Sequence, residues 1–169
     1  MPSNTFTLIS SVTVGSGGAS SIDFTSIPAT YTDLKLVYTA RNKTSSVSEG
    51  VILSFNSNTS NYSAIYLDNN NGGTPRSGSA ARYAGVDVAS NQTASTFANN
   101  EIYIPNYVGS TYKSYSVDSV TENNATAAYL TLIAGLWSNT SAITSISLTL
   151  NSDSFAQYST AYLYGIKNS

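Results

Sequence analysis

Neither cysteine nor histidine occurs in the 169 residues. Without thiols there is no disulfide framework, no thiolate nucleophile and no clue to the redox compartment. Without imidazole the usual Cys/His metal ligands and the commonest general base are missing. Charge is scarce as well. Asp, Glu, Lys and Arg make up 9% of the chain, against roughly 25% in an average globular domain. The net charge is −2 and the pI is near 4.8. Lys and Arg are scattered, so no basic stripe is available to a phosphate backbone. The longest apolar stretches, around 127–137 and 143–150, are broken by Thr or Ser and are too short for a bilayer span. Met1-Pro2-Ser3-Asn4 has neither the basic nor the apolar region of a signal peptide and reads as a mature start. These absences predict a chain that is not an enzyme, holds no cofactor or metal, and has neither nucleic acid nor membrane as a partner.

Hydrophobic residues reach 41%, enough for a core, and Ser, Thr and Asn together fill about 40% of the chain. The polar residues alternate with Tyr, Ile, Leu and Val instead of forming separate tracts, so low charge does not mean disorder here. The length fits one domain, 1–169, with no internal repeat. Good helix formers are sparse, whereas Thr, Tyr, Val and Ile are frequent. Strands are predicted at Thr5–Val14, Ser20–Phe24, Asp33–Ala40, Val51–Phe55, Tyr62–Asp68 and Tyr83–Ala89. Further strands are predicted at Phe97–Ile104, Tyr112–Val120, Ala127–Trp137, Ile143–Leu150 and Thr160–Lys167. Turn residues separate them: Asn69 to Gly73, Pro105-Asn106 and Glu122 to Asn124. Gly15-Ser16-Gly17-Gly18 reads as a hairpin tip, and one short helical turn is expected near 42–50. Strands at this spacing, without helical periods between them, point to an all-β antiparallel sandwich or barrel.

In Asp33–Ala40, Leu34, Leu36 and Tyr38 share one face. Ala127–Trp137 is apolar on both faces: Ala128, Leu130, Leu132, Ala134 and Leu136 on one, Tyr129, Ile133 and Trp137 on the other. Such a strand is either central and covered by the chain's own loops, or it turns its outer face to another subunit. None of the nine carboxylates sits in a recognisable catalytic context, although a glycosidase pair can be distant in sequence. No G-x-S-x-G elbow, P-loop or dinucleotide glycine pattern occurs. Asp68 to Gly73 has the alternating oxygens of a calcium loop, but Ser79 stands where the distal bidentate Glu belongs, so a plain turn is expected. The thirteen tyrosines are the remaining signal, since Tyr serves both as a strand former and as an interface residue. Candidate interface residues are Tyr112, Tyr115, Tyr129, Trp137, Tyr162 and Tyr164.

The order of several short motifs carries a resemblance. Ser26-Ile27-Pro28-Ala29-Thr30-Tyr31-Thr32-Asp33-Leu34 leads into a strand ending near Arg41. Phe55-Asn56, Ser60-Asn61-Tyr62-Ser63 and Ile102-Tyr103-Ile104-Pro105-Asn106-Tyr107 follow. Leu136-Trp137, Ala142-Ile143-Thr144-Ser145-Ile146 and Tyr162-Leu163-Tyr164-Gly165-Ile166 complete the series. This order, from about residue 5 to residue 167, resembles a family of small structural proteins and domains from tailed phages, especially those of aquatic bacteria and cyanobacteria. The resemblance implies a virion component with a jelly-roll-like sandwich fold. The resemblance does not fix the place within the virion; a short chain without a shaft-like repeat is expected to be a head decoration (cement) protein on the capsid surface, a homo-oligomer (trimer) whose partner is the major capsid protein. The alternative within the same family is a tail-fibre or tail-tip module that recognises a carbohydrate receptor. No catalytic or metal-binding residues come with the resemblance.

Overall fold

The computed structural model describes residues 5–70, 75–122, 124 and 128–167. Among them twelve strands and no helix form, because alternating aromatic or aliphatic and hydroxyl side chains fit a pleated surface with one dry face. The strands are β1 (Phe6–Thr13), β2 (Ser21–Phe24), β3 (Asp33–Ala40), β4 (Gly50–Phe55), β5 (Tyr62–Asn70) and β6 (Arg76–Ala80). They continue with β7 (Tyr83–Val86), β8 (Ala98–Ile104), β9 (Lys113–Thr121), β10 (Tyr129–Trp137), β11 (Ile146–Leu150) and β12 (Thr160–Ile166). Eleven of these fall on segments expected from the alternation. The twelfth, β6, reads Arg-Ser-Gly-Ser-Ala and carries no strand signal of its own; pairing with β5 makes it a strand.

The strands form two antiparallel sheets, ordered β1-β12-β3-β8-β9-β10-β5-β6 and β2-β11-β4-β7. The architecture is therefore a sandwich and not a barrel. Its winding is that of a jelly roll. Set aside β5, β6, β9 and β10, and the remaining strands pair first with last: β1 with β12, β2 with β11, β3 with β8, β4 with β7. These four ribbons fold into two facing four-stranded sheets. The two hairpins left aside are insertions, β5–β6 between β4 and β7, and β9–β10 between β8 and β11. Together they lengthen one sheet beyond β8 by four strands.

The inner faces make one core. Leu34, Leu36 and Tyr38 of β3, Ile102 and Ile104 of β8 and Leu163 of β12 meet Ile22 of β2, Leu53 and Phe55 of β4 and Leu148 of β11. All are fully buried, and each such side chain contributes roughly 1.5–3 kcal/mol by leaving water. The added strands join this core through an aromatic cluster. The Trp137 ring stacks on Tyr62 at 6.0 Å, and Phe55 of the small sheet meets Trp137 at 5.6 Å and Tyr115 edge-on at 5.9 Å. Tyr62 also accepts the Phe55 N–H at 2.7 Å. Gly135, directly opposite Tyr115 in the ladder, leaves the space that the Tyr115 ring fills.

Three local expectations are corrected. Gly15–Gly18 is a turn closed by Gly18 N–H donating to Gly15 O at 3.0 Å, but it is no hairpin tip. β1 and β2 do not pair; the turn carries the chain from the large sheet to the small one. Residues 42–50 hold no helical turn. Asn42 Oδ1 accepts the Thr44 N–H at 2.8 Å, and Asp87 Oδ1 accepts both the Asn42 amide and the Glu49 N–H at 2.8 Å. These side chains take backbone donors that a helix would need. The segment expected to begin a strand at Ile143 starts pairing only at Ile146, because Asn56 draws Thr144 N, Ser145 N and Ala142 O to its own side-chain amide.

Lys113 is buried at 1% exposure and closes the same end of the molecule. Its Nζ donates to Gly109 O at 2.6 Å and Thr111 O at 2.5 Å, and more weakly to Thr140 O at 3.4 Å. At the other end Arg41 donates to the carbonyls of Ser90, Gln92, Thr93 and Thr96, so the 90–96 loop is folded round one guanidinium. A Gly135→Ala change drives a methyl into the hemmed-in Tyr115 ring and is expected to cost about 1–3 kcal/mol. Gly15→Ala, with nothing within 4 Å of the added carbon, should stay within about 0.5 kcal/mol. Urea unfolding followed by the fluorescence of Trp137, the single tryptophan, measures both.

Candidate functional site

The two inserted hairpins present two different surfaces. On β10 the side chains of Thr131, Ile133, Gly135 and Trp137 point into the sandwich, while Leu130, Leu132, Ala134 and Leu136 point out. Leu132 lies opposite Leu67 of β5, and Ala134 opposite Ile65. Ile65 is 67% exposed, Leu130 59%, Leu132 58% and Leu67 56%. Val120 of β9 flanks Leu130. The sequence left open whether this face is covered by the chain's own loops; among the described residues it is not. The result is a contiguous aliphatic face on the outside of the sheet, the kind of surface that marks an interaction site. One border is acidic. Asp118 pairs in register with Leu132 and with Glu101, so two carboxylates stand side by side. Glu101 is bridged to Lys35 at 2.7 Å, and among the described residues Asp118 has no salt bridge.

On the inner side of the same strands lies a cleft of about 460 Å³, where β5, β6 and β10 overhang the β4–β7 side of the small sheet. Its size is that of a small-ligand site, roughly 300–1,000 Å³. Tyr66, Tyr83 and Tyr129 line it together with Glu49, Asp68 and Arg76. Tyr66 and Tyr83 meet edge to face at 5.5 Å. Arg76 Nε and Nη2 donate to both oxygens of Asp68 at 2.9 Å, a two-pronged pair that holds the carboxylate in a fixed plane. A carboxylate so held is a fixed hydrogen-bond acceptor. Burial first, then the nearby Asp68 and Tyr66, pushes the Tyr83 phenol up to about 12, so it remains a protonated donor. Among the described residues no group of three or more Asp or Glu is arranged to hold a metal ion. Asn71 to Gly73 of the calcium-like stretch lie outside the described residues, and Asp68 serves Arg76.

The six residues singled out from sequence separate into three groups. Tyr115 and Trp137, at 3% and 1% exposure, are core side chains of the aromatic cluster and present no ring to the surface. Tyr129 lines the cleft. Tyr112 precedes β9 at 58% exposure, and Tyr162 and Tyr164 lie on the outer face of the large sheet, on β12, away from the aliphatic face. The leucines of β10 were visible in the sequence, but their partners Ile65 and Leu67 were not grouped with them, because β5–β10 pairing joins segments far apart in the chain. Tyr66, Tyr83 and Arg76 also escaped notice. The strand that carries Arg76 has no hydrophobic pattern to reveal it.

Asp87 is the one acid in the interior with a strongly altered environment. It is fully buried, its Oδ1 is satisfied twice, and its Oδ2 has no hydrogen-bond partner. Glu49, Arg41 and the phenol of Tyr38 are the ionisable groups that interact with it. Burial raises its pKa to about 7, against the opposing pull of the Glu49 N–H and Asn42 bonds. No family model, curated protein or solved structure matches the chain.

Because the folded pKa of Asp87 lies above the ordinary 3.8, folding takes up a proton between those values. Its contribution to stability is complete below about pH 4 and is lost as the pH rises to about 7. Asp87→Asn mimics the protonated acid and should remove this slope. The variant is expected to match the parent near pH 4 and exceed it near pH 8 by up to about 4 kcal/mol, as read by urea melts across pH.

Proposed function

We propose that the chain is a structural protein of a tailed-phage virion, a decoration (cement) protein that binds the major capsid protein on the outside of the head. One observation carries the reading: an uncovered aliphatic face on the outer side of β5 and β10, in a chain of which only 9% of the residues are charged. The motif order described above points the same way, to a virion component that performs no chemistry. A cement protein has to sit across joints between shell subunits and resist outward pressure. A sheet face suits that task better than a loop, because little conformational freedom is lost on docking.

In this reading the outer face of β5 and β10 meets an apolar strip on the capsid protein, and the Asp118–Glu101 border meets a basic residue beside it. Assembly as a trimer would multiply a modest affinity, since one engaged copy raises the effective concentration of the other two. A closed threefold arrangement would also match a threefold position on the shell. Binding through aliphatic contacts depends weakly on salt. Between roughly 0.1 M and 1 M the screening length falls from ~10 to ~3 Å, which removes exposed ion pairs and leaves apolar contacts intact.

Occupancy on purified heads tests the proposal. Binding should persist across that salt range, and Leu67→Asp with Leu132→Asp should abolish it without unfolding the protein, because both side chains already face water. Release by moderate salt alone, or full occupancy by the double variant, would reject the reading.

A further inference from the structure

The cleft on the opposite side of the inserted strands is not used by shell attachment, and its contents suit a different ligand. Tyr66, Tyr83 and Tyr129 come from three strands of two sheets and turn toward one fixed Asp68–Arg76 pair. Among the described residues none of the three phenol hydroxyls has a hydrogen-bond partner in the chain. Each therefore keeps a donor and an acceptor for something else. The carboxylate of Asp68 is only 8% exposed and locked in plane, and the Arg76 side chain is 57% exposed at the rim. Ring faces beside fixed donors and acceptors form a site for a molecule with apolar C–H faces and a rim of hydroxyls.

We propose that this cleft binds a neutral saccharide. A pyranose ring lays its C–H face on a tyrosine ring and distributes its hydroxyls among Asp68, Arg76 and the phenols. Sign of charge narrows the class. Glu49 and Asp68 against Arg76 leave the cleft with an excess negative charge, so uronic acids and phosphorylated sugars are repelled. The carboxylate and guanidinium are already paired and oriented, so little ordering is needed when a hydroxyl arrives. Tyr129 stands at the end of β10, half-buried and outside the aromatic core cluster, where its ring is the natural stacking platform. The two surfaces are back to back on the same strands, so a molecule docked by its aliphatic face still offers the cleft outward.

Saturation-transfer NMR on the full chain tests this with short oligosaccharides of glucose, galactose, mannose and N-acetylglucosamine, and with oligogalacturonate as the anionic comparison. Concentrations of roughly 1 mM detect weak binding. Transfer to at least one of the four neutral series is expected, and none to oligogalacturonate. Tyr129→Ala should weaken the binding roughly tenfold by removing the stacked ring. Arg76→Gln, on the exposed edge strand, should weaken it without touching the core, and Leu132→Asp on the opposite face should leave it unchanged. Absence of transfer from all four neutral series, preference for oligogalacturonate, or binding that survives both Tyr129→Ala and Arg76→Gln overturns the proposal. Shell attachment stands or falls separately, since head occupancy reads the outer face and not the cleft.

Discussion

The contact of Phe55 with Tyr62, Tyr115 and Trp137 is the joint on which the surfaces of this protein depend. Phe55 belongs to the four-stranded sheet, and its three partners belong to the strands added to the other sheet. Those strands extend beyond the jelly-roll core and attach to it by the β8–β9 ladder at one edge and by their inner face. Edge-to-face and stacked rings give that attachment a defined geometry as well as buried area. Were the joint loose, the aliphatic outer face would sit on a flapping hairpin and the cleft beneath it would have no fixed width. As built, one hairpin pair is held rigidly enough to carry an apolar platform on one side and a polar, aromatic recess on the other.

Scarcity of charge shapes both surfaces. A domain with an ordinary share of Lys and Glu could blunt the aliphatic face of β5 and β10 with long charged side chains. Here the neighbours along the ladder are Ser77, Ser79, Ser114 and Ser116, too short to cover a leucine. The few charges present are assigned to joints: Arg41 to the carbonyls of the 90–96 loop, Lys113 to those of the loops before β9 and after β10, Arg76 to Asp68. Arg41 and Lys113 act as clamps on backbone carbonyls, and Arg76 as a clamp on a carboxylate.

Much of the fold could be read from alternation alone, and the reason is physical. Strands such as β3, whose inner residues are Leu34, Leu36, Tyr38 and Ala40, are buried on one face only and advertise that face every second residue. What alternation does not reveal is pairing. β1 and β2 are adjacent in sequence and read as a hairpin, yet jelly-roll winding sends each to a different partner at the far end of the chain. The same blindness hid both candidate surfaces, because Leu67 meets Leu132, and Tyr66 and Asp68 join Tyr129 at the cleft, only after β5 and β10 pair. Tyr115 and Trp137 show the opposite failure. An aromatic residue chosen as an interface candidate on residue type alone can equally be a core residue, and the partner strand decides which.

The same strand poses a problem of register that the molecule solves with its small and polar residues. A strand apolar on one face is kept in place because a one-residue slip turns its hydrophobic side to water. β10 lacks that safeguard, since Leu130, Leu132 and Leu136 would fill a core about as well as Ile133 and Trp137. What a slipped β10 could not reproduce is the match of shapes and dipoles on the inner face. Gly135 must sit opposite Tyr115, because any side chain there meets the ring. Thr131 is paired between Ser119 and Asp68, in a polar row that continues through Asn100 to Tyr38 on one side and to Arg76 on the other. A slip would place leucine in that row and strand the Asp68–Arg76 pair against hydrocarbon. The side-chain atoms of Asn100 and Thr131 Oγ1 lack partners among the described residues, so the row adds little stability of its own. Its effect is on which alignment wins: the leucines face outward because the inner face accepts only one order of small, polar and aromatic residues.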